Sequence, residues 1–537
     1  GETVTYLEHH LRQYTRRNTS DFFIHKDLRG FLSRELDFYL KNEVLNLEEL
    51  EAAGENLAEG WFQLLRLIKR IGLKIIEFLA QIEDFQKALW EKKKFVTETF
   101  YVVTVGNIPE TFYPEIAAND AQWEEWKTLL AVETPKAAKK RVEWLQAHPT
   151  LPLDTRHFSQ DFTDRLLAAF EDLDGMTDGL LVHAENWQAL NLLQEKYRER
   201  VTQIHIDPPY NTESSGFVYK NDYRHSSWLS MMMERLTLAK GVLHPAGIFT
   251  CHIDENEFER LRLLFEQIFG YVGTAVWDKL NPMMGAQELA IQHEYILFCA
   301  PDSRPFIVRP QNVKAILAMA REIIRKYGGV TEQAKKEFSD WVRSTKTLTG
   351  GERAYQYLDD DGQVYRLVAM TWPNPSPPPP EFFTPLIHPI TGKPCPVPNR
   401  GWSQSPKKMS ELLEKGEIVF GPDETTQPQR KVRLSEGKAL SSVIRNGSRG
   451  KTEIEGLGLD FTYNHPSTLY TTLLDAGLDE TGIVLDYFAG SGTTGHAVIN
   501  LNREDGGRRK FILVEMAQYF DTVLLPRIKK VTFTPEW

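Results

Sequence analysis

Cysteine is scarce in this chain: three in 537 residues, Cys251, Cys299 and Cys395, far apart and without a CxxC pair. That excludes a disulfide framework and a structural zinc site of ordinary ligand spacing, and it fits a reduced cytoplasmic setting with no metal. Long apolar runs are missing too. No apolar run approaches 18 residues without charges and no secretory signal precedes the first amphipathic segment, so neither membrane insertion nor export is expected. Gly1 stands where an initiator Met would, which reads as a tag remnant or a trimmed end. Surplus positive charge is also lacking. The net charge of −11 argues at first against a nucleic-acid partner. Its distribution is more informative: residues 301–450 hold 23 Lys+Arg and 16 Asp+Glu, a local +7 that leaves −18 on the rest. One DNA-facing module in an acidic frame is compatible with that, as is a merely solvated basic face.

At this length two or three domains are expected. Residues 1–175 read as a mostly helical arm, with apolar residues at three-and-four spacing over 32–41 and especially 61–94. The arm is expected to be a scaffold, or a surface for dimerisation or partner docking. His9, His10 and His25 lack further ligands at metal spacing, and Trp123, Trp126 and Trp144 recur as core residues would.

From 176 to 300 strands alternate with helices, the pattern of a mostly parallel sheet covered on both faces. Strands are predicted at 180–182, 201–206, 248–253, 272–277 and 295–299, with Pro245-Ala246-Gly247 as the turn before the third. From 301 to 460 the alternation stops, and the run 372–380 with its six prolines is an extended connector, so this stretch reads as an irregular inserted domain. The sheet domain resumes over 461–537.

Two motifs carry chemistry. Asp207-Pro208-Pro209-Tyr210 follows a β-branched run that ends abruptly at the prolines, which sets an acid and an aromatic ring at the mouth of a sheet. A carboxylate, a carbonyl stiffened by the next proline and a flat ring suit a planar amine such as the exocyclic amino group of a nucleobase. The bland alternative is a strand ending in a Pro-Pro turn. Far downstream, Gly490-x-Gly492-x-x-Gly495 lies between a strand ending at Asp486 and a helix, and Glu515 follows twenty residues past the last glycine. Strand, glycine turn, helix, strand and acid in this order describe a nucleoside-binding crevice whose acid grips ribose hydroxyls. It is no phosphate-binding P-loop, because His496 and Ala497 stand where Lys and Ser/Thr are needed. A nicotinamide dinucleotide and S-adenosylmethionine both fit such a crevice. Only methyl transfer to an amine uses the upstream clamp as well.

The pair DPPY and FAGSGTT, in this order, resembles the DNA amino-methyltransferases of the beta group, in which the target-recognition domain lies between the two motifs. Within that group DPPYNT (207–212), YRHSSWL (223–229), PITGKPC (389–395) and NLNREDGGRRKFILVE (500–515) are similar to modification subunits of type III restriction systems. The resemblance covers roughly 180–530. It implies a Rossmann-like α/β fold, doubly wound around a mostly parallel sheet. It further implies S-adenosylmethionine as donor, duplex DNA as partner and N6 of a flipped adenine as acceptor. By motif match Asp207, Pro208, Pro209 and Tyr210 are the catalytic clamp, and Asp486, Phe488, Gly490, Ser491, Gly492, Thr493 and Glu515 hold the cofactor. Cytosine N4, an RNA base or a non-catalytic recognition subunit are the rival readings. Cytosine enzymes more often carry Ser in place of Asp207.

Two departures stand out. Ala184-Glu185-Asn186 replaces the usual Gly-Asp-Asn, and His465-Pro466-Ser467-Thr468 lacks the usual Pro-Lys, which puts that part of the cofactor pocket in question. His293-Glu294 has no second His at zincin spacing, and no Gly-x-Ser-x-Gly elbow is present. No helicase or nuclease motif is visible, so restriction would need a separate subunit, and a homodimer is the other partner considered.

Overall fold

A computed structural model of the chain describes residues 27–44, 55–92, 94–212, 225–270, 272–281, 289–300, 306–308, 311–435, 437–534 and 536. His9, His10, His25 and the Asn-, Ser- and Gly-rich loop after the clamp, at 213–224, lie outside them. The chain divides into two compact units, one of residues 1–304 with 441–537 and one of residues 305–440.

The first unit is built on an eight-stranded sheet. Its strands are β1 (Gly179–His183), β2 (Val201–Ile206), β3 (Leu243–Ile253), β4 (Val272–Asp278), β5 (His293–Cys299), β6 (Val443–Arg445), β7 (Ile483–Asp486) and β8 (Lys510–Glu515). The spatial order is β6-β4-β5-β3-β2-β7-β8-β1. Every neighbouring pair is parallel except those of β5, which runs antiparallel to both β3 and β4. The central strands read Val-Thr-Gln-Ile-His-Ile and Ile-Val-Leu-Asp because both of their faces are covered, so no polar alternation is required. Pro245-Ala246-Gly247 is not the predicted turn. It lies inside β3, where the register to β2 shifts between Val201 and Gln203, so the proline is absorbed at an irregularity of the ladder.

Helices α3 (Asn186–Tyr197), α4 (His225–Val242) and α5 (Phe258–Phe269) pack Leu190, Trp228, Leu236 and Phe265 onto the sheet in one continuous core. The helical arm begins with α1 (Leu28–Tyr39) and α2 (Glu55–Trp90), which pack on each other. Beyond them the arm is not purely helical: Val102–Thr104 and Pro152–Asp154 form a short antiparallel ladder. Helices around that ladder enclose a core in which Trp123 and Trp126 are buried, as expected of core residues. Three more helices of the sheet unit are α6 (Ser467–Asp475), α7 (Thr493–Asp505) and α8 (Leu525–Phe533), and the arm's core is tied to the last by buried Lys529, whose ammonium pairs with Glu125 and with Asp154 at 2.6 Å.

The second unit differs from the expected irregular domain. Two helices, Gln311–Lys326 and Glu332–Ser344, pack Ile316, Ile323, Phe338 and Val342 against Leu358 and Val364 of a four-stranded antiparallel sheet. Trp402 and Met409 anchor a second small core. The expected boundary at 460 is also corrected. The unit ends at Leu440, and β6 then adds a parallel edge strand to the large sheet, so 441–460 belong to the sheet unit. Their turn-rich sequence hid this, because a three-residue strand leaves no periodicity to read. Among the described residues no helix is long and apolar enough to cross a membrane.

Candidate active site

Strands β2 and β7 are parallel neighbours, with Val484 against Gln203 and Leu485 against Ile204. Their carboxyl ends therefore lie side by side, and each carries one of the two motifs. From β7 the chain passes outward to β8, and from β2 outward the other way to β3, so the motifs meet where the winding reverses. In open α/β sheets that crevice is where ligands bind.

The clamp is braced from outside. The Pro209 carbonyl accepts a hydrogen bond from Trp228 Nε1 at 2.9 Å, and the Tyr210 hydroxyl donates to Glu294 Oε2 at 3.0 Å. Asn211 follows in the left-handed region, φ 62°, and donates to the fully buried Glu257 at 2.6 Å. Asp207 Oδ1 is a buried acceptor with no hydrogen-bond partner among the described residues. Leaving such an atom unpaired costs about 1–3 kcal/mol, so it is an open position for an N–H donor.

The other oxygen of Asp207 faces His465. The imidazole Nδ1 lies 3.4 Å from Asp207 Oδ2 and 3.2 Å from the Tyr470 hydroxyl, while Nε2 lies 3.2 Å from Glu294 Oε2. Lys279 Nζ approaches Glu294 Oε1 at 2.7 Å. Burial opposes a charge on His465, but the carboxylates of Asp207 and Glu294 outweigh it and raise its pKa to about 9. Burial likewise opposes ionisation of Glu294, yet His465 and Lys279 bring it down to about 2. For Asp207 burial wins and its pKa is raised, with His465 pulling the other way. The clamp acid thus sits on an imidazolium. His205 and His252 lie behind it with their Nε2 atoms 3.2 Å apart, and burial lowers the first to about 3 and the second well below the usual range, so both are neutral. His252, Glu294 and His465 offer ligand atoms within 4.8 Å of one another. With both of its nitrogens against carboxylates, however, His465 has the surroundings of a protonated ring rather than of a metal ligand.

On the other side of the crevice, buried Asp486 accepts from Phe488 N at 3.0 Å and from the Thr494 hydroxyl at 2.6 Å, and burial pushes its pKa up to about 7. Gly490 and Gly492 have φ of 53° and 85°, which any other residue would adopt only with strain. A Cβ on Gly490 would meet nothing closer than Phe461 at 3.9 Å, so the backbone is open to a ligand there, whereas one on Gly495 would stand 2.7 Å from Ile528, so that glycine serves packing.

The backbone clasps Glu515: Oε2 accepts from Gly490 N at 3.0 Å and Oε1 from Met516 N and Ala517 N at 2.8 and 2.9 Å. The Tyr519 hydroxyl adds to these three amides on the same carboxylate. Ser491 and Thr493 turn their hydroxyls to Asn464 and to Arg527 Nη1, at 2.7 and 2.9 Å from the latter, where they fix the loop. Arg527, fully buried on α8, also pairs with Glu453. It sets a cation under the glycine turn in a chain that lacks the usual lysine. Glu185, the unusual acid of the other departure, caps α3 through Gln188 N at 3.0 Å and pairs with Arg235. Sequence reasoning placed the clamp and the loop but missed His465, Glu294, Lys279, Asn464 and Arg527. The signals were the odd His-Pro-Ser-Thr run and His293-Glu294-Tyr295, a stretch that shares the resemblance to type III modification subunits.

With this geometry in hand the chain was compared with known proteins. The profile of the N6/N4 DNA methylase family matches residues 201–524. The chain belongs to that family. It is 31% identical over 384 residues to the type III restriction-modification enzyme EcoP15I Mod subunit of Escherichia coli, across 63% of its own length and 58% of that protein's. It is 30% identical to the StyLTI Mod subunit of Salmonella typhimurium, across 63% and 52% of the two chains. The chain thus spans little more than half the length of these relatives. Among solved structures the crystal structure of an M1.HpyAVI-SAM complex shares 13% identity at a TM-score of 0.31, over 66% of this chain and 99% of that one. PvuII DNA methyltransferase (cytosine-N4-specific) shares 10% at 0.34, over 67% and 87%.

Proposed function

We propose that this DNA methylase transfers a methyl group from S-adenosylmethionine to N6 of a flipped adenine in duplex DNA, as the modification part of a cytoplasmic restriction-modification system whose nuclease is a separate subunit. The observation that carries the reading is the unpartnered Asp207 Oδ1 at the carboxyl end of β2, beside the open glycine turn after β7. The site residues fit the cofactor. Asp486 and Glu515 offer carboxylates at adjacent strand ends, Gly490 leaves its backbone accessible, and Phe488 adds an apolar ring. When bound, the cofactor supplies an electrophilic methyl group on a sulfonium.

The remaining chemistry belongs to the chain. An adenine amine is a poor nucleophile because its lone pair is delocalised into the ring. Hydrogen bonds from its two protons to Asp207 Oδ1 and the Pro208 carbonyl draw the nitrogen toward tetrahedral geometry and aim the lone pair. Tyr210, its hydroxyl anchored to Glu294, stacks on the base. As the new N–C bond forms the nitrogen gains positive charge and must lose a proton. Asp207 is the neighbouring base, and His465 as imidazolium works against the burial that favours its protonated form. Sequence reading is assigned to the 305–440 unit, which supplies the local basic excess for phosphate contacts.

Long-read sequencing sensitive to base modification, on DNA from cells expressing the chain, tests the proposal. N6-methyladenine at one recognition motif is expected. N4-methylcytosine would move the acceptor assignment, and unmodified DNA from cells containing folded, cofactor-binding protein would overturn it.

A further inference from the structure

Glu257 is a fully buried acid that stands where a helix cap would and does not cap. It immediately precedes α5, and its carbonyl accepts from Leu261 N at 2.8 Å, but its side chain makes no capping bond. A wholly buried carboxylate is costly and is kept where it has partners. The partners of this one lie mainly on other elements. Oε1 accepts from Asn211 Nδ2 at 2.6 Å and lies at the same distance from His225 Nδ1, while Arg260 Nη1 comes to 3.7 Å from Oε2. The amino end of α5 favours the charge as well.

These contacts converge on the chain as it leaves the clamp. Asn211 directly follows Tyr210, and its φ of 62° is a left-handed turn that an asparagine adopts at some cost and that the bond to Glu257 holds in place. His225 opens α4, and Trp228, three residues on and so on the same face of that helix, donates to the Pro209 carbonyl at 2.9 Å. Pro209, Tyr210 and Asn211 are thus pinned in succession by α4, by Glu294 of β5 and by Glu257. The base amine is activated only where two acceptors and a ring meet it together, and a displacement of about 1 Å at such a site costs on the order of 100-fold in rate. We infer that Glu257 is a positioning residue for methyl transfer: through Asn211 and His225 it fixes the exit of the clamp and so sets the Tyr210 ring and the Pro208 carbonyl against the base. The inference rests on the reading of residues 207–210 as the amine clamp.

Transfer of labelled methyl groups from S-adenosylmethionine to unmethylated genomic DNA tests this on the full chain, with cofactor affinity measured by calorimetry. E257A is expected to lower kcat at least about tenfold and to leave the cofactor dissociation constant within about twofold, since the glycine turn after β7 is untouched. E257Q keeps an acceptor oxygen for Asn211 and should recover most of the rate. Should E257A misfold, N211G carries the test: glycine adopts the left-handed turn freely, so the turn is kept and only the tether is lost. N211G should also fall at least about tenfold, and N211G/E257A should be within about twofold of E257A, because both changes break the same tether. A wild-type rate in N211G or in folded E257A, an E257Q no faster than E257A, a matching loss of cofactor affinity, or additive losses in the double variant would each overturn the inference. Nucleoside analysis of the product separates it from the reading on which it rests. N4-methylcytosine as the product, with the rates ordered as expected, would overturn the adenine assignment and support the positioning role; N6-methyladenine formed at unchanged rate by these variants would overturn the positioning role alone.

Discussion

Replacing His465 by Gln keeps a hydrogen-bonding side chain but removes the positive charge between Asp207 and Glu294. The pKa of His465 is raised in the folded protein, from 6.5 to about 9. Its charge therefore stabilises the fold fully below pH 6.5, and that contribution is lost as pH rises through about 9. At 1.36 kcal/mol per pKa unit the linkage is on the order of 3 kcal/mol near pH 6 and falls below about 1 kcal/mol by pH 9. Urea midpoints of wild type and H465Q, taken at the transition that S-adenosylmethionine shifts so that the sheet domain is the one observed, should differ most at pH 6 and converge near pH 9.5. Methyl incorporation should follow a related course. Without the imidazolium, burial holds Asp207 protonated to higher pH, and a protonated acid is a poorer acceptor for the amine. The acid limb of the variant's turnover profile should therefore move upward by at least one pH unit. A stability gap that is flat from pH 6 to 9.5, or an unmoved acid limb, would refute the assignment of charge to His465.

Asp207→Ala should abolish methyl incorporation while leaving S-adenosylmethionine affinity by calorimetry within about twofold, since the donor side of the crevice is untouched. Glu515→Ala should raise the cofactor dissociation constant at least tenfold, because it removes a ligand contact and also the acceptor that clasps Gly490, Met516 and Ala517; loss of a single exposed contact would be smaller. Arg527→Met should destabilise the sheet domain by about 1–3 kcal/mol in urea unfolding, since it takes a guanidinium from Glu453, Asn464, Ser491 and Thr493 while Glu453 keeps His496 and the Ser467 amide.

The sheet, its two motifs and the insertion between them were legible because each is written in contiguous residues: a β-branched run into Asp207, a glycine turn after Asp486. The acceptor network was not, since His465 meets Asp207 after β2 and Glu294 on β5, and no local spacing links these segments. His465 registered only as a departure from the usual Pro-Lys and was assigned to the cofactor side, whereas its contacts lie on the acceptor side. Glu515 was legible as the acid ending β8, but its backbone clasp was not, because it depends on where the Gly490 amide points. The order within 305–440 escaped detection for a different reason. Its strands are short and separated by Pro-, Gly- and Lys-rich turns, which leave no strand pattern to read, whereas the helices Gln311–Lys326 and Glu332–Ser344 do carry a helical periodicity that the sequence reading passed over.

The corrected boundary changes how the 305–440 unit can be exchanged. A chimera cut at 301 and 460 would remove β6, which pairs through Val443 and Ile444 with Val276 and Trp277 of β4. It would also remove Glu453, whose carboxylate accepts from Ser467 N at 2.8 Å and pairs with Arg527 under the glycine turn. Such a chimera should lose cofactor binding whatever it does to specificity. Cut at 305 and 440, the exchange leaves every one of these contacts in place. If 305–440 reads the sequence, a chimera carrying that unit from a relative with a different target should bind S-adenosylmethionine as the parent does and methylate the relative's sites in a sequencing map. Retention of the parent's sites by an active chimera would move recognition out of this unit, with the helical core around Trp123 and Trp126 the next region to exchange.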